Sequence, residues 1–158
     1  MPDWIVHIGV AYIICRLLYT KYTTFNHSNT ILVMVGSLIP DIAKLAMITE
    51  YLGMDTLDYF MAFHQPLTSL IVAAILCLFF EKRKIVLGLL ILGLATHYAL
   101  DLLLINFGGG IYIFFPLSWQ AFHLDLISSD DNYLSLIILL LAFLVFIVEY
   151  WSKDAKID

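Results

Sequence analysis

From Ile85 to Asn106 the chain carries one formally charged side chain, Asp101, and no proline. A helix crossing the hydrocarbon core of a bilayer needs about 20 predominantly apolar residues, so this run meets that length on its own. Four further apolar segments lie at roughly 4–19, 31–49, 66–80 and 133–151. In lipid only α-helices and closed β-barrels satisfy their backbone groups, and long uninterrupted runs of this kind are not barrel strands. The pattern therefore predicts an all-α integral membrane bundle of about five helices. The first and third segments are short for a full crossing, which predicts tilt, extension into flanking polar residues or incomplete spanning.

Composition supports that reading: 62% of the 158 residues are hydrophobic and 13% charged. Soluble domains sit nearer half apolar and a quarter charged. The length suits one membrane-embedded helical domain, 1–158, in the cell membrane as a multi-pass protein. Cys15 and Cys77 lie inside apolar runs at no metal-like spacing, which predicts buried free thiols. A net charge of −5, carried mostly outside the apolar runs, argues against a nucleic-acid partner. No basic region or small-residue cleavage site flanks the first run, which is expected to remain as a helix. The "FGGG" at 107–110 is expected to break the fourth helix, and "SSDDN" at 128–132 to cap the fifth.

Orientation follows from the basic residues. With five alternating crossings, Arg16, Lys21, Lys82, Arg83, Lys84, Lys153 and Lys156 fall on one side, leaving Lys44 alone on the other. Asp3, Glu50, Asp55, Asp58, Asp125, Asp130 and Asp131 share the side of Lys44. The N-terminus is predicted outside and the C-terminus inside.

Ionisable residues within such helices are costly, about 2.5–3.5 kcal/mol each near the centre, and usually mark function. Here they are His7, Asp41, Lys44, His97 and Asp101, with His64 just ahead of the third segment. His97 and Asp101 are four apart and share a helix face; a hydrogen-bonded structural pair is the plain alternative. Asp41 follows Pro40, whose ring disturbs the helix and releases backbone carbonyls, and Lys44 is placed to pair with it. Asp3, four residues before His7, reads more readily as a helix cap than as a ligand. At 1.5 Å per residue, His97 lies roughly 18 Å and Asp101 roughly 24 Å along the fourth helix, and Asp41 roughly 15 Å along the second. His7 and His64 fall at outer helix ends, so all five residues share the outer half of the membrane. Three imidazoles and two carboxylates suit zinc first, with manganese or iron as alternatives. A cation also accounts for carboxylates in a low-dielectric site.

The order of these elements, His7, Pro40-Asp41, His64, His97-x-x-x-Asp101 and then "FFPLSW" at 114–119, resembles the YdjM-like family of membrane-bound metal-dependent hydrolases. That family is distantly similar to zinc-dependent phospholipase C and the related single-strand nucleases. The resemblance implies that Asp41, His64, His97 and Asp101 hold one metal, and that Asp101 bridges to a second bound by His7. Where the family commonly has His-Arg-Gly-x-Thr-His-Ser, this chain reads His64-Gln65-Pro66-Leu67-Thr68-Ser69-Leu70, with Gln65 and Ser69 in place of the arginine and the second histidine. The aromatic 108–126 stretch, with Trp119, reads as an interfacial loop. His123 within it is not expected to be a ligand, and His27 is expected to be solvated.

The function expected from these readings is hydrolysis of a phosphoester on a lipid or lipid-linked substrate at the outer face, with Asp41 and Asp101 as the catalytic carboxylates. Two rivals use the same residues: an ion or proton transporter, and a non-enzymatic membrane protein whose metal only staples the bundle.

Overall fold

The computed structural model describes residues 4–54, 62–103, 110–127 and 132–154. Its helices are α1 (Trp4–Tyr19), α2 (His27–Leu38), α3 (Ala46–Tyr51), α4 (Pro66–Cys77), α5 (Arg83–Leu103) and α6 (Asn132–Asp154), with 3-10 turns at Thr23–Phe25, Pro40–Leu45 and Ala62–His64. Among the described residues there is no strand, only an isolated antiparallel bridge between Ile111 and Phe122. The all-α class holds. The caps expected at Asp3 and at 128–131, and residues 107–109 of the glycine run, lie outside the described residues.

Among the described residues the second apolar run forms two helices rather than one, because Pro40 divides it. Proline has no N–H and its ring clashes with the preceding turn. The α2 ladder therefore stops at Leu38, residues 40–45 wind as a 3-10 turn leading into α3, and the Pro40–Tyr51 segment as a whole is bent by 48° from α2. At its other end α2 begins earlier than expected, at His27. The Asn26 side chain caps it by accepting from the Asn29 backbone N–H at 3.0 Å. Pro66 starts α4 from the first helical turn, where a missing N–H costs nothing.

α5 is the centre of the packing, set against α2 along one side and α4 along another, while α1 joins α2 to α6. Small residues make the α2–α5 contact close. A Cβ on Gly93 would collide with the Val33 carbonyl oxygen and stand 2.6 Å from the Ser37 backbone nitrogen; one on Gly36 would collide with the Leu90 carbonyl oxygen. Helices in membranes associate through this kind of close backbone approach. Around it lie two apolar clusters, one of Ile39, Ala73, Cys77, Val86, Leu90 and Leu94, the other of Ala11, Cys15, Val33 and Leu89. Both cysteines are buried free thiols, as expected.

Two helices, α5 and α6, are long and apolar enough to cross a membrane, and the bent α2–α3 pair makes a third if counted as one span. α1 and α4, at 16 and 12 residues, fall short of the roughly 20 that a straight crossing needs. α6 exposes apolar side chains around its circumference, among them Leu136, Leu140, Phe143 and Phe146. A helix apolar on all faces belongs in lipid or in a large core.

The aromatic loop after α5 is anchored to that helix rather than hanging from it. Leu124 N–H donates to the Leu102 carbonyl oxygen at 2.8 Å, and the Leu126 and Ile127 N–H groups to that of Leu103 at 2.8 and 3.0 Å. Those carbonyls belong to the last turn and lack intrahelical donors, so the returning loop caps the helix that carries His97 and Asp101.

Candidate metal centre

The break at Pro40 sets the geometry of the centre. Because α2 ends at Leu38, the Ser37 carbonyl oxygen is among the last four that no α-helical N–H reaches. α5 lies close enough, through Gly93, for His97 one turn further on to use it: His97 Nδ1 donates to Ser37 O at 2.7 Å. A carbonyl oxygen only accepts, so Nδ1 carries the proton and a neutral His97 presents the lone pair of Nε2. A backbone carbonyl behind a ligating histidine fixes its tautomer and ring orientation in this way.

Two atoms meet in front of that lone pair. His97 Nε2 is 3.1 Å from Asp101 Oδ2 and 3.3 Å from His64 Nε2, and His64 Nε2 is 3.1 Å from Asp101 Oδ2. Bond lengths of 2.0–2.2 Å in a tetrahedral zinc site put neighbouring donor atoms about 3.3 Å apart, so the triangle has the edge lengths of one face of such a site. The other two expected residues flank it. His7 stacks on His97 with ring centroids 3.8 Å apart and an interplanar angle of 19°, its Nε2 3.5 Å from Asp101 Oδ1. Asp41 Oδ1 is 4.0 Å from His64 Nε2.

All five residues are at most 4% exposed. Their donor atoms form two overlapping groups of metal-ligand type, His7–His97–Asp101 and Asp41–His64–His97. His7 Nδ1 and Asp41 Oδ1 are buried with no hydrogen-bond partner among the described residues. Buried polar atoms left this way cost about 1–3 kcal/mol each unless something else meets them. The donor set, its spacing and its orphaned atoms fit a divalent cation.

The ion pair anticipated between Asp41 and Lys44 also forms, with Lys44 Nζ 2.7 Å from Asp41 Oδ2. The two readings of Asp41 do not compete, because they use different oxygens. His123 pairs with Asp125 at 2.6 Å on a half-exposed side chain and belongs to neither donor group. His27 is exposed, as expected, but it opens α2 rather than sitting in a loop, and its Nε2 is 3.3 Å from Glu149 Oε1.

Four contributors were not identified from the sequence. Ser37 acts through its carbonyl, which no side-chain pattern reveals, although the proline three residues later is the signal that carbonyls there are released. Ser69, fully buried, donates to the Phe63 carbonyl oxygen at 2.9 Å and accepts from Tyr98 at 2.7 Å. The Tyr98 hydroxyl is also 3.4 Å from the His64 carbonyl oxygen. Together they tie the turn that carries His64 to α5. Gln65 accepts from the Tyr112 backbone N–H at 3.2 Å and ties the same turn to the aromatic loop. Gln65 and Ser69, the positions that depart from the family pattern, thus hold the His64 turn from both sides.

A bundle of this composition, built round buried imidazoles and carboxylates, defines a helical membrane protein with a polar centre of metal-ligand type. The profile of the YdjM inner membrane protein family matches residues 1–156, and the chain belongs to that family. No curated protein and no solved structure matches it.

Proposed function

We propose that the protein is a metal-dependent hydrolase of the inner membrane, acting on a phosphoester of a lipid or lipid-linked substrate at the outer face. In this reading the chain passes the membrane several times with the N-terminus outside. Zinc is the first candidate for the cation and manganese or iron the next. The observation that carries the reading is the Nε2–Nε2–Oδ2 triangle of His64, His97 and Asp101, backed by the Ser37 carbonyl. A divalent cation held there supplies Lewis-acid polarisation and nucleophilic water near neutral pH.

The residues divide the remaining tasks. His97 and His64 offer ring nitrogens, and Asp101 offers one oxygen to them and turns the other toward His7. That division suits one ion, or two bridged by Asp101. Asp41 turns Oδ1 toward the centre while Lys44 grips Oδ2, so Asp41 is the carboxylate placed to take a proton from an attacking water. Membrane lipid is both the surroundings and the source of substrate, since a headgroup reaches the depth of the outer helix ends.

The test is elemental analysis of the full chain purified in detergent, wild type beside Asp101→Asn. About one or two zinc, manganese or iron per chain, lost in the mutant, supports the reading and justifies a phosphoester screen. No stoichiometric metal in either protein, even after reconstitution, sinks it and leaves a hydrogen-bonded proton network.

A further inference from the structure

Far from the metal centre, the C-terminal ends of α1 and α6 border a cavity of about 770 Å³. Arg16 lines it, nine positions after His7 and so about 14 Å further along α1. Its side chain is only 3% exposed. The guanidinium is also fixed in place. Nη2 is bonded to Glu149, Nη1 donates to the Phe25 carbonyl oxygen at 3.2 Å, and Cζ lies 4.5 Å from the centroid of the Tyr19 ring. A guanidinium has five N–H groups, and these hydrogen bonds use two. Nε is buried and has no hydrogen-bond partner among the described residues. A buried donor without an acceptor is unfavourable, so the cavity presents a held arginine that an acceptor group would complete.

The rest of the lining has two characters. Leu17, Leu144 and Val148 are exposed apolar side chains. Thr20 and Ser152 lie toward the helix ends, Ser152 eight positions and about 12 Å beyond Leu144 along α6. Both hydroxyls donate their one proton locally, Thr20 Oγ1 to the Leu17 carbonyl oxygen at 2.7 Å and Ser152 Oγ to that of Glu149 at 3.0 Å. What they offer a ligand is therefore lone pairs. An apolar wall, a held donor and two acceptors in one cavity match the acyl chains, phosphate and ammonium of a single molecule. We propose that this cavity binds a phospholipid with a primary-amine headgroup. Its acyl chains lie against Leu17, Leu144 and Val148, its phosphate accepts from Arg16, and its ammonium donates to Thr20 and Ser152. Basic pockets between membrane helices take lipid headgroups by the same chemistry. None of these residues belongs to the metal centre, so the site stands or falls apart from it.

The probes are phosphatidylethanolamine, phosphatidylglycerol and diacylglycerol with the same acyl chains. Full chain, delipidated in detergent, is titrated with each by native mass spectrometry. Wild type is compared with V148W, which fills the cavity from the exposed face of α6, and with the double variant T20V/S152A. Wild type should take one phosphatidylethanolamine about tenfold or more tighter than either other lipid, and V148W should lose that advantage. T20V/S152A should keep lipid binding but lose most of the preference for the amine headgroup. Equal phosphatidylethanolamine binding by wild type and V148W overturns the proposal, because the lipid then sits elsewhere. Diacylglycerol binding as tightly as phosphatidylethanolamine overturns the Arg16–phosphate contact. Phosphatidylglycerol binding as tightly, or an unchanged preference in T20V/S152A, overturns the assignment of the ammonium. Should V148W not fold, a phosphatidylethanolamine carrying a photoreactive acyl chain decides on the wild type. Labelling concentrated at Leu17 and at Leu144–Val148 supports the site, and labelling spread evenly along α6 overturns it.

Discussion

His97 is held from both ends: the Ser37 carbonyl takes the proton of Nδ1, and Nε2 faces His64 and Asp101. Replacing it with alanine removes the residue common to both donor groups, so His97→Ala should bind no metal. A functional site loses its metal with the helical circular dichroism and melting profile preserved, whereas a structural staple collapses. The residues behind the ligands make a gentler test. Ser69→Ala combined with Tyr98→Phe frees the turn bearing His64, and should weaken metal affinity by about tenfold in chelator competition, within the usual range for outer-shell partners. Unchanged affinity would show that the turn is held by its other ties, Gln65 to the Tyr112 N–H and Thr68 to the Ala62 and Gln65 carbonyls. At this scale all five candidate ligands were legible in the sequence, because ionisable groups in apolar helices are too costly to be accidental. Their supports were not. A backbone carbonyl leaves no residue type to read, and Ser69 and Tyr98 look ordinary until a fold brings them together across 29 positions.

The α2–α5 contact makes opposite predictions for two glycines of one helix. At Gly93 an added methyl meets the backbone of Val33 and Ser37, whereas at Gly88 it meets nothing within 4 Å. Alanine improves helix propensity over glycine by about 1 kcal/mol, and overpacking costs about 1–3 kcal/mol. Gly88→Ala should therefore raise the melting temperature in detergent slightly. Gly93→Ala should lower it and weaken metal binding, because separating α2 from α5 pulls Ser37 away from His97. Equal shifts at the two sites would mean that the helices do not depend on the close approach. Helix positions followed from the sequence to within a few residues, and Pro40 announced its own bend. The start of α2 did not, since Asn26 acts as a cap only once the chain turns through Thr23–Phe25 ahead of it.

For the whole molecule, the proposed orientation places the aromatic loop outside and the link between α4 and α5 inside. Cysteines introduced at exposed positions on each test it: Gln120→Cys should react with a membrane-impermeant maleimide in right-side-out vesicles, and Lys82→Cys only after permeabilisation. The native Cys15 and Cys77 are buried and should contribute little background. The reverse labelling pattern would invert the topology and move the metal site to the inner face. Membrane character was plain from the long runs. The number of crossings was not, because α1 and α4 are too short to declare themselves; such helices depend on neighbours, and neighbours are not written in local composition.

The end of the bundle away from the metal centre holds a further buried charge. Arg16, on the last turn of α1, is bonded to Glu149 of α6 and donates to the Phe25 carbonyl oxygen at 3.2 Å. These charges are 133 positions apart, so during synthesis the arginine leaves the ribosome long before its carboxylate exists. Until α6 emerges, α1 has every reason to keep that end at the water boundary. α6, made well after α1, is then the helix that lets α1 settle, and with it His7 reaches the centre: the site would form only after Glu149 has been made.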